Sequence, residues 1–248
     1  MSAGRHDSAF HTRRHTAASI RHIGGDLPMK LFLADDLWLI AYDEWNGRLR
    51  VDEELLSLGL AGALLSELLL GEAITVVDGE VWPGRQLPVS GLTHMMADRI
   101  ESEPRRDVAT WLRFYAKTAH EDVVGRLVLW RWIRAEAHHG LRRKSVRYKG
   151  TSQDVSSAIG WRPLRLSSAL GASDLGDPPR IESAADGALV MLCHAIGVTG
   201  VVLREAAPRC QPYIDQIHRW MQGRAPALHH VATCVGEIVS TNTSRTHP

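Results

Sequence analysis

The longest nearly apolar stretch of the chain, ELLSLGLAGALLSELLLG at positions 54–71, places the tightest constraint on the fold. Its only internal charge is Glu67, and its glycines and alanines would let neighbouring helices approach closely. A helix that is apolar on all sides belongs in a protein core or in a membrane. A membrane span needs about 20 apolar residues, and acids crowd this shorter stretch at 52–54 and at Glu72. The stretch therefore predicts a central buried helix.

Composition is typical of a soluble globular protein with one large domain or two modest ones. Of the 248 residues, 44% are hydrophobic and 23% are charged, and the formal net charge is +1. This balance gives no overall field that would attract nucleic acid or an anionic membrane, so an electrostatic site must come from local clusters. Three scattered cysteines, Cys193, Cys210 and Cys234, are too few for a disulfide framework, which suits a reducing cytoplasm.

The ends of the chain differ from its middle. Residues 1–28 are polar, with four arginines and four histidines, and predict a disordered basic and histidine-containing tail. Met29 follows directly, which leaves open whether translation starts at Met1 or at Met29. We predict one domain over 29–240 and a frayed tail over 241–248.

Turn signals predict small hairpins. Asn46-Gly47 is a polar turn after the first helix, and Asp78-Gly79 stands between two β-branched runs. The latter is a strong hairpin signal, because glycine accepts positive φ without steric cost. A second hairpin or a structured loop is predicted around Ser145 to Tyr148, between Gly140 and Gly150.

Helical periodicity accounts for most of the remaining chain. One helix starts at Met29, and others are predicted at 92–100, 161–170, 184–196, 213–221 and 227–238. The run 107–136 predicts two helices that break near His120. The side chains predicted to face the core in that run are Val123, Val124, Leu127, Leu129 and Ile133. The fold class is therefore mainly α, a single all-helical globular domain around a central apolar helix, with small β-hairpins.

Signatures of catalysis are missing from the sequence. It contains no GxSxG nucleophile elbow, no phosphate-binding P-loop, no dinucleotide glycine pattern and no HExxH. His230 and Cys234 share a helical face at i and i+4, with His229 beside them, but a zinc site needs three or four protein ligands. We therefore predict no metal, no cofactor and no enzymatic activity.

A run of basic residues is the most informative local feature. Five cations fall within eight residues: Arg142, Arg143, Lys144, Arg147 and Lys149. In an alternating strand the side chains of Arg143, Arg147 and Lys149 share one face. Near an anionic leaflet each cation contributes about 1 kcal/mol of attraction. The same charges would also protect a solvated hairpin from edge-to-edge association, and composition alone leaves both functions open.

A second basic stripe precedes the predicted hairpin. Arg113, Lys117 and His120 fall at i, i+4 and i+7, a spacing that predicts one helical face. Such a stripe is most often a solvated face. The stripe is of interest because it precedes the basic run at 142–149 in the chain.

The order of elements resembles the Golgi phosphoprotein 3 family. In that family an acidic, apolar helix and a polar glycine turn, here LFLADDLWLIAYDEWNGRL, precede a GLxGxxLxELxL core helix and a hairpin, here LLSLGLAGALLSELLLGEAITVVDGEVW. The run WLRFYAKTAHEDVVGRLVLWRWIRAE, the basic hairpin and the closing helices follow in the same order, so the likeness covers nearly all of 29–240. The arginine-rich composition is more similar to the family's bacterial, actinobacterial-type branch.

The resemblance implies a helical domain that binds phosphatidylinositol 4-phosphate at a membrane face. In eukaryotic members a tryptophan and three arginines hold the headgroup, and an apolar hairpin enters the bilayer. The corresponding positions here are Asp52, Ala61, Lys117 and His120, and the hairpin carries the run 142–149. Because a stereospecific phosphate pocket depends on bidentate arginine donors, these replacements predict lower selectivity and shallow attachment to anionic lipid.

Our leading hypothesis is a non-enzymatic, cytoplasmic, peripherally membrane-associated protein. It would bind phosphatidylinositol 4-phosphate-like or other anionic headgroups through Lys117, His120 and the hairpin. The alternative is a protein-interaction scaffold that keeps the fold without lipid binding, marked by a large exposed apolar patch. Nucleic-acid binding ranks last, since the chain has neither a helix-turn-helix pattern nor a basic total charge.

Overall fold

The computed structural model describes residues 31–86, 88, 90–103, 105–139, 144–170, 181 and 183–246. The predicted tail at 1–28 lies outside them. The helices are α1 (Leu33–Ala41), α2 (Glu53–Leu70), α3 (Gly91–Ser102), α4 (Val108–Tyr115), α5 (Ala119–Leu129), α6 (Gln153–Gly160), α7 (Arg162–Ala169), α8 (Ala184–Ala195), α9 (Val198–Leu203), α10 (Ala207–Arg224) and α11 (Pro226–Thr246). The strands are β1 (Tyr42–Asp43), β2 (Arg48–Leu49), β3 (Ile74–Val77), β4 (Glu80–Pro83), β5 (Arg106–Asp107), β6 (Ile133–His139) and β7 (Lys144–Gly150). This mainly helical architecture with small antiparallel strand pairs confirms the predicted fold class.

The apolar stretch forms α2 and lies at the centre of the core, as predicted. Helix α2 packs against α1, α4, α5, α8 and α11. A Cβ added at Gly59 would lie 2.8 Å from Ile196 Cδ1, and one added at Gly62 would lie 2.8 Å from Val235 Cγ2. Real Cβ contacts are longer, so these two glycines are what permits α8 and α11 to pack so closely on α2.

Three charged side chains are buried together where α1, α2 and α5 meet. Arg126 Nε donates to Asp35 Oδ1 at 2.9 Å, and its terminal nitrogens donate to the Glu67 carboxylate at 2.9 and 3.0 Å. Glu67 also accepts from the backbone N–H of Ala34, and Asp35 accepts from that of Phe32. The only internal charge of α2 is thus fully hydrogen-bonded, as a buried carboxylate must be.

The predicted turns are present. Asp78 and Gly79 both have positive φ, 52° and 82°, and join β3 to β4 in the expected two-residue hairpin. Gly47, at φ 67°, closes the turn between β1 and β2. A second hairpin is also present, formed by β6 and β7, but only β7 falls within the predicted bounds, because β6 lies before Gly140 in a segment predicted to be helical.

The run 107–136 departs from prediction at its end. It does form two helices, separated by a turn at 116–118 just before His120. However, α5 ends at Leu129, whose side chain is 77% exposed, so the prediction that Leu129 faces the core was wrong. Arg131 adopts a left-handed conformation at φ 59° and turns the chain out of the helix. The residues from Ile133 onward therefore form a strand, although Ile133 itself is buried as predicted.

The last third is helical, with boundaries that differ from prediction. Helix α8 matches its predicted span, whereas α6 was not predicted and α10 is longer at both ends. Helix α11 continues to Thr246, through the segment predicted to be frayed. Across the described ranges, no helix is both long and apolar enough to cross a membrane.

Candidate functional site

The candidate surface is the basic hairpin, which we define as β6 and β7. The strands pair from Ile133 and Gly150 at the base to His139 and Lys144 at the outer end. The base residues are buried, whereas Ala137 and its partner Val146 are both exposed further out. At the pair Ala137 and Val146 the hairpin is therefore open to solvent.

Hydrogen bonds from the β1–β2 turn region fix the free edge of β7. The N–H of Tyr148 donates to Tyr42 Oη at 2.8 Å, and the N–H of Gly150 donates to Glu44 Oε1 at 2.9 Å. The same Glu44 oxygen accepts from the Ser156 hydroxyl at the start of α6. An exposed strand edge pairs readily with other chains, so these contacts both anchor the hairpin and cover part of its edge.

Arg147 lies across the β1–β2 turn. A Cβ added at Gly47 would lie 2.7 Å from Arg147 Cδ. The arginine side chain therefore packs directly on the backbone of Gly47, where any other residue would place a side chain. No carboxylate among the described residues forms an ion pair with Arg147. Its stem is thus held while its charge is not neutralised by a described neighbour.

Two other cations of the basic hairpin share one acid. Lys149 Nζ lies 3.3 Å from Glu136 Oε2, and Arg134 Nε lies 3.0 Å from Glu136 Oε1. Hydrogen bonds from Arg134 and Lys149 lower the pKa of the Glu136 carboxyl. With Arg147 included, this face carries three cations and one anion, so its described charge is net positive.

The outer end of the hairpin carries the remaining predicted cations. Lys144 pairs with His139 in the strand register. Arg142 and Arg143 belong to the connection 140–143, which lies outside the described residues. Their part in binding stays a prediction.

His120 lies near the basic hairpin but in acidic surroundings. Its ring is 6.4 Å from that of Trp38, which in turn packs edge-on against Tyr148 at 5.5 Å. His120 Nδ1 lies 3.2 Å from Glu53 Oε1. Burial raises the pKa of Tyr148, and the charges of Glu53 and Glu121 raise it further. Carboxylates therefore gather on this side of the hairpin and would repel a phosphate.

Arg113 and Lys117 are not on one helix with His120. The turn at 116–118 separates α4 from α5, so the spacing argument for a shared face fails. Arg113 is exposed on α4, a helix that packs against α11. Lys117 is exposed in the turn itself. Their role in binding stays a prediction.

The other two positions aligned with headgroup residues offer no cation. Asp52 is exposed at the start of α2, ahead of the exposed Glu53 and Glu54. Ala61 is fully buried in the core. Asp52, Glu53 and Glu54 therefore make the start of α2 acidic.

A separate cleft of about 440 Å³ opens between the starts of α1 and α8 and the end of α2. Its lining is largely apolar, including Phe32, Leu68 and Leu189, with the carboxylates of Asp36 and Asp186 at its wall. In the described part of the chain, no three His, Cys, Asp or Glu side chains are grouped to hold a metal.

The residues that hold the hairpin were not found from the sequence. Tyr42 and Glu44 stand 106 positions before their β7 partners. The one local signal was a carboxylate at Glu44 followed by an aromatic at Trp45, within a turn expected to be polar. That pattern does not indicate which distant residues would hydrogen-bond with Glu44.

The geometry defines a class of protein: a helical domain around an apolar helix, with an anchored basic hairpin on its surface. The family model for Golgi phosphoprotein 3 matches residues 33–237, and the chain belongs to this family. A search of curated proteins finds no match.

Proposed function

We propose that this protein is a non-enzymatic peripheral protein that binds anionic phospholipid headgroups through the basic hairpin. The carrying observation is that Tyr42 and Glu44 fix the free edge of β7, while the hairpin face with Arg134, Arg147, Lys149 and Glu136 has a net positive described charge. A fixed cationic edge can meet a flat anionic surface without first being ordered, so little binding energy is lost to ordering. A cytoplasmic, peripherally attached protein is consistent with this surface.

Recognition would depend on charge density rather than on a headgroup pocket. Asp52, Ala61 and the Glu53–His120 contact leave the aligned region without the arginine donors that a phosphate pocket needs. Phosphatidylinositol 4-phosphate would then bind as one anionic lipid among several. Binding should weaken between about 0.1 and 1 M salt, as the Debye length falls from about 10 Å to about 3 Å.

Vesicle sedimentation of the full chain tests this. The vesicles are neutral phosphatidylcholine, phosphatidylcholine with phosphatidylserine, and phosphatidylcholine with phosphatidylinositol 4-phosphate at matched surface charge. The double variant Arg147→Glu/Lys149→Glu should bind both anionic vesicles roughly thirtyfold more weakly or worse, because each lost cation removes about 1 kcal/mol. Reversing Arg142, Arg143 and Lys144 together should act in the same direction.

Arg209→Glu/Arg219→Glu is the matched control, since both arginines are exposed on α10 and the net-charge change is the same. This control should keep most of the binding. Equal binding to neutral and anionic vesicles, or equal losses in the two double variants, would sink the proposal. A clear preference for phosphatidylinositol 4-phosphate at matched charge would instead require a headgroup pocket.

The alternative is a protein-interaction scaffold, and the apolar cleft beside Phe32 and Leu68 is the observation in its favour. Its largely apolar lining would suit a peptide that carries an apolar side chain. Failure of the wild-type chain to bind any anionic vesicle would leave this alternative as the better account.

A further inference from the structure

The indole of Trp45 is the most exposed large apolar side chain in the described part of the chain, at 96%. Its backbone is nonetheless held firmly. Trp45 N–H donates to Asp43 Oδ1 at 3.0 Å, and Gly47 N–H donates to the Asp43 carbonyl oxygen at 2.8 Å. Asn46 Nδ2 donates to the other Asp43 carboxylate oxygen at 3.0 Å. A fixed turn thus presents an uncovered aromatic ring to solvent.

Residues on both sides of Trp45 in the β1–β2 turn contact the basic hairpin. Glu44, just before it, accepts from Gly150 of β7. Gly47, two residues after it, lies under the side chain of Arg147. The turn and the hairpin therefore form one unit, and the position of Trp45 relative to β7 is set by these contacts.

Cations accompany the indole. Arg48, which follows the turn, is exposed, and Arg147 lies on the turn itself. Tryptophan concentrates at membrane interfaces because it has an apolar body and a polar N–H, and adjacent cations favour anionic headgroups.

We propose that Trp45 is an interfacial anchor, which inserts its indole among the headgroups of an anionic bilayer while the cations of the hairpin hold the phosphates. This rests on the proposed function, since it uses the same surface. It adds an apolar contact that the basic run alone does not supply. The proposed ligand is a bilayer and not a protein.

The test compares Trp45→Ala with Trp161→Ala on phosphatidylcholine–phosphatidylserine vesicles. Trp161 is 63% exposed at the end of α6 and controls for loss of an exposed indole. Trp45→Ala should bind roughly ten- to twentyfold more weakly, as expected if about a third of the indole area is buried at the interface. Its salt dependence should be unchanged, because no charge is removed.

Fluorescence locates the ring directly. The chain has eight tryptophans, so the spectrum of Trp45→Phe is subtracted from that of the wild type to isolate Trp45. On anionic vesicles this difference spectrum should shift to the blue and be quenched by brominated lipid. Both changes should be missing on neutral vesicles.

The outcomes separate the two proposals. If the wild type binds anionic vesicles and Trp45→Ala binds equally well, the anchor is overturned and hairpin binding stands. Equal weakening by Trp45→Ala and Trp161→Ala, or a difference spectrum that does not respond to lipid, also overturns the anchor. If the wild type binds no vesicle, the proposed function is overturned and the anchor with it.

Discussion

Two ionic clusters in this protein use the same chemistry in opposite environments. In the buried cluster, Arg126 bridges Asp35 and Glu67 at 2.9 to 3.0 Å. On the basic hairpin, Arg134 and Lys149 flank Glu136 at 3.0 and 3.3 Å. The side chains of the first cluster are at most 5% exposed, and those of the second are 38–55% exposed.

The surroundings decide what each cluster does. In the core, burial raises the pKa of Asp35 to about 6 despite the opposing charge of Arg126. Burial lowers the pKa of Arg126, but the hydrogen bonds and charges of Glu67 and Asp35 outweigh it and leave the pKa above its ordinary value. On the hairpin, solvent already stabilises each charge, so an ion pair adds little to folding. The first cluster therefore specifies the fold, and the second remains available to a ligand.

Removing the buried cation should have the largest effect. Arg126→Met leaves two buried carboxylates without a counter-charge, and we expect the free energy of unfolding to fall by about 3–5 kcal/mol. Urea denaturation followed by circular dichroism measures it. Arg134→Met on the hairpin is the matched control and should leave the midpoint nearly unchanged.

A second set of variants guards against simple loss of folding. Arg126→Lys keeps the charge but loses the two-pronged contact with Glu67, so it should lie between wild type and Arg126→Met. Adding Asp35→Asn and Glu67→Gln to Arg126→Met removes the stranded charges and should recover part of the loss. If Arg126→Met and Arg134→Met destabilise equally, the contrast between the clusters is wrong.

The second largest effect should be the change of the free energy of unfolding with pH. The pKa of Asp35 rises from 3.8 to about 6 on folding. An acid with a raised folded-state pKa contributes stability that is fully present below 3.8 and lost as the pH rises through about 6. Two pKa units correspond to roughly 3 kcal/mol. Asp35→Asn cannot titrate, so its stability relative to wild type should increase by up to that amount between about pH 4 and pH 7.

Urea midpoints of the two proteins across that range give the difference directly, and other titrating groups cancel in the comparison. A difference that stays constant with pH would mean that Asp35 keeps its ordinary pKa in the core. A difference of opposite sign would mean that Arg126 stabilises the carboxylate more than burial destabilises it.

The central core helix can be predicted from the sequence because its composition is almost entirely apolar. The stretch 54–71 has too few polar residues to be anything but buried, and the Asp78-Gly79 pair accepts the positive φ of its turn. The β6 strand could not be predicted, because the apolar residues up to Ile133 continue a helical pattern. The helix is ended by Arg131 in a left-handed conformation that normally favours glycine. No local signal announces that turn.

The positive charges of the candidate site could be predicted from the sequence, but the acidic residues that contact them could not. The cations of the basic run are visible in the sequence, whereas the helical pattern through Glu136 gives no sign of its contact with Lys149. The Glu53 contact with His120 joins residues 67 positions apart. Pairing over such distances depends on the packing of α2 against α5, which follows from the whole core and not from local pattern.

The smallest expected effect bears on the exposed cluster alone. Glu136→Gln removes the one described anion from the cationic face of the hairpin and frees Arg134 and Lys149 to meet phosphate. Stability should not change, because the group is exposed. Affinity for phosphatidylcholine–phosphatidylserine vesicles should rise by up to about fivefold, the gain expected for one unit of charge near the surface.

Glu237→Gln supplies the control, since Glu237 is exposed on α11 and the change in net charge is identical. If both variants gain equally, net charge and not the hairpin governs attachment. If Glu136→Gln instead loses stability with no gain in affinity, the Glu136 cluster resembles the buried one in function. Either result would remove the distinction between an ion cluster that holds the fold and one that faces a ligand.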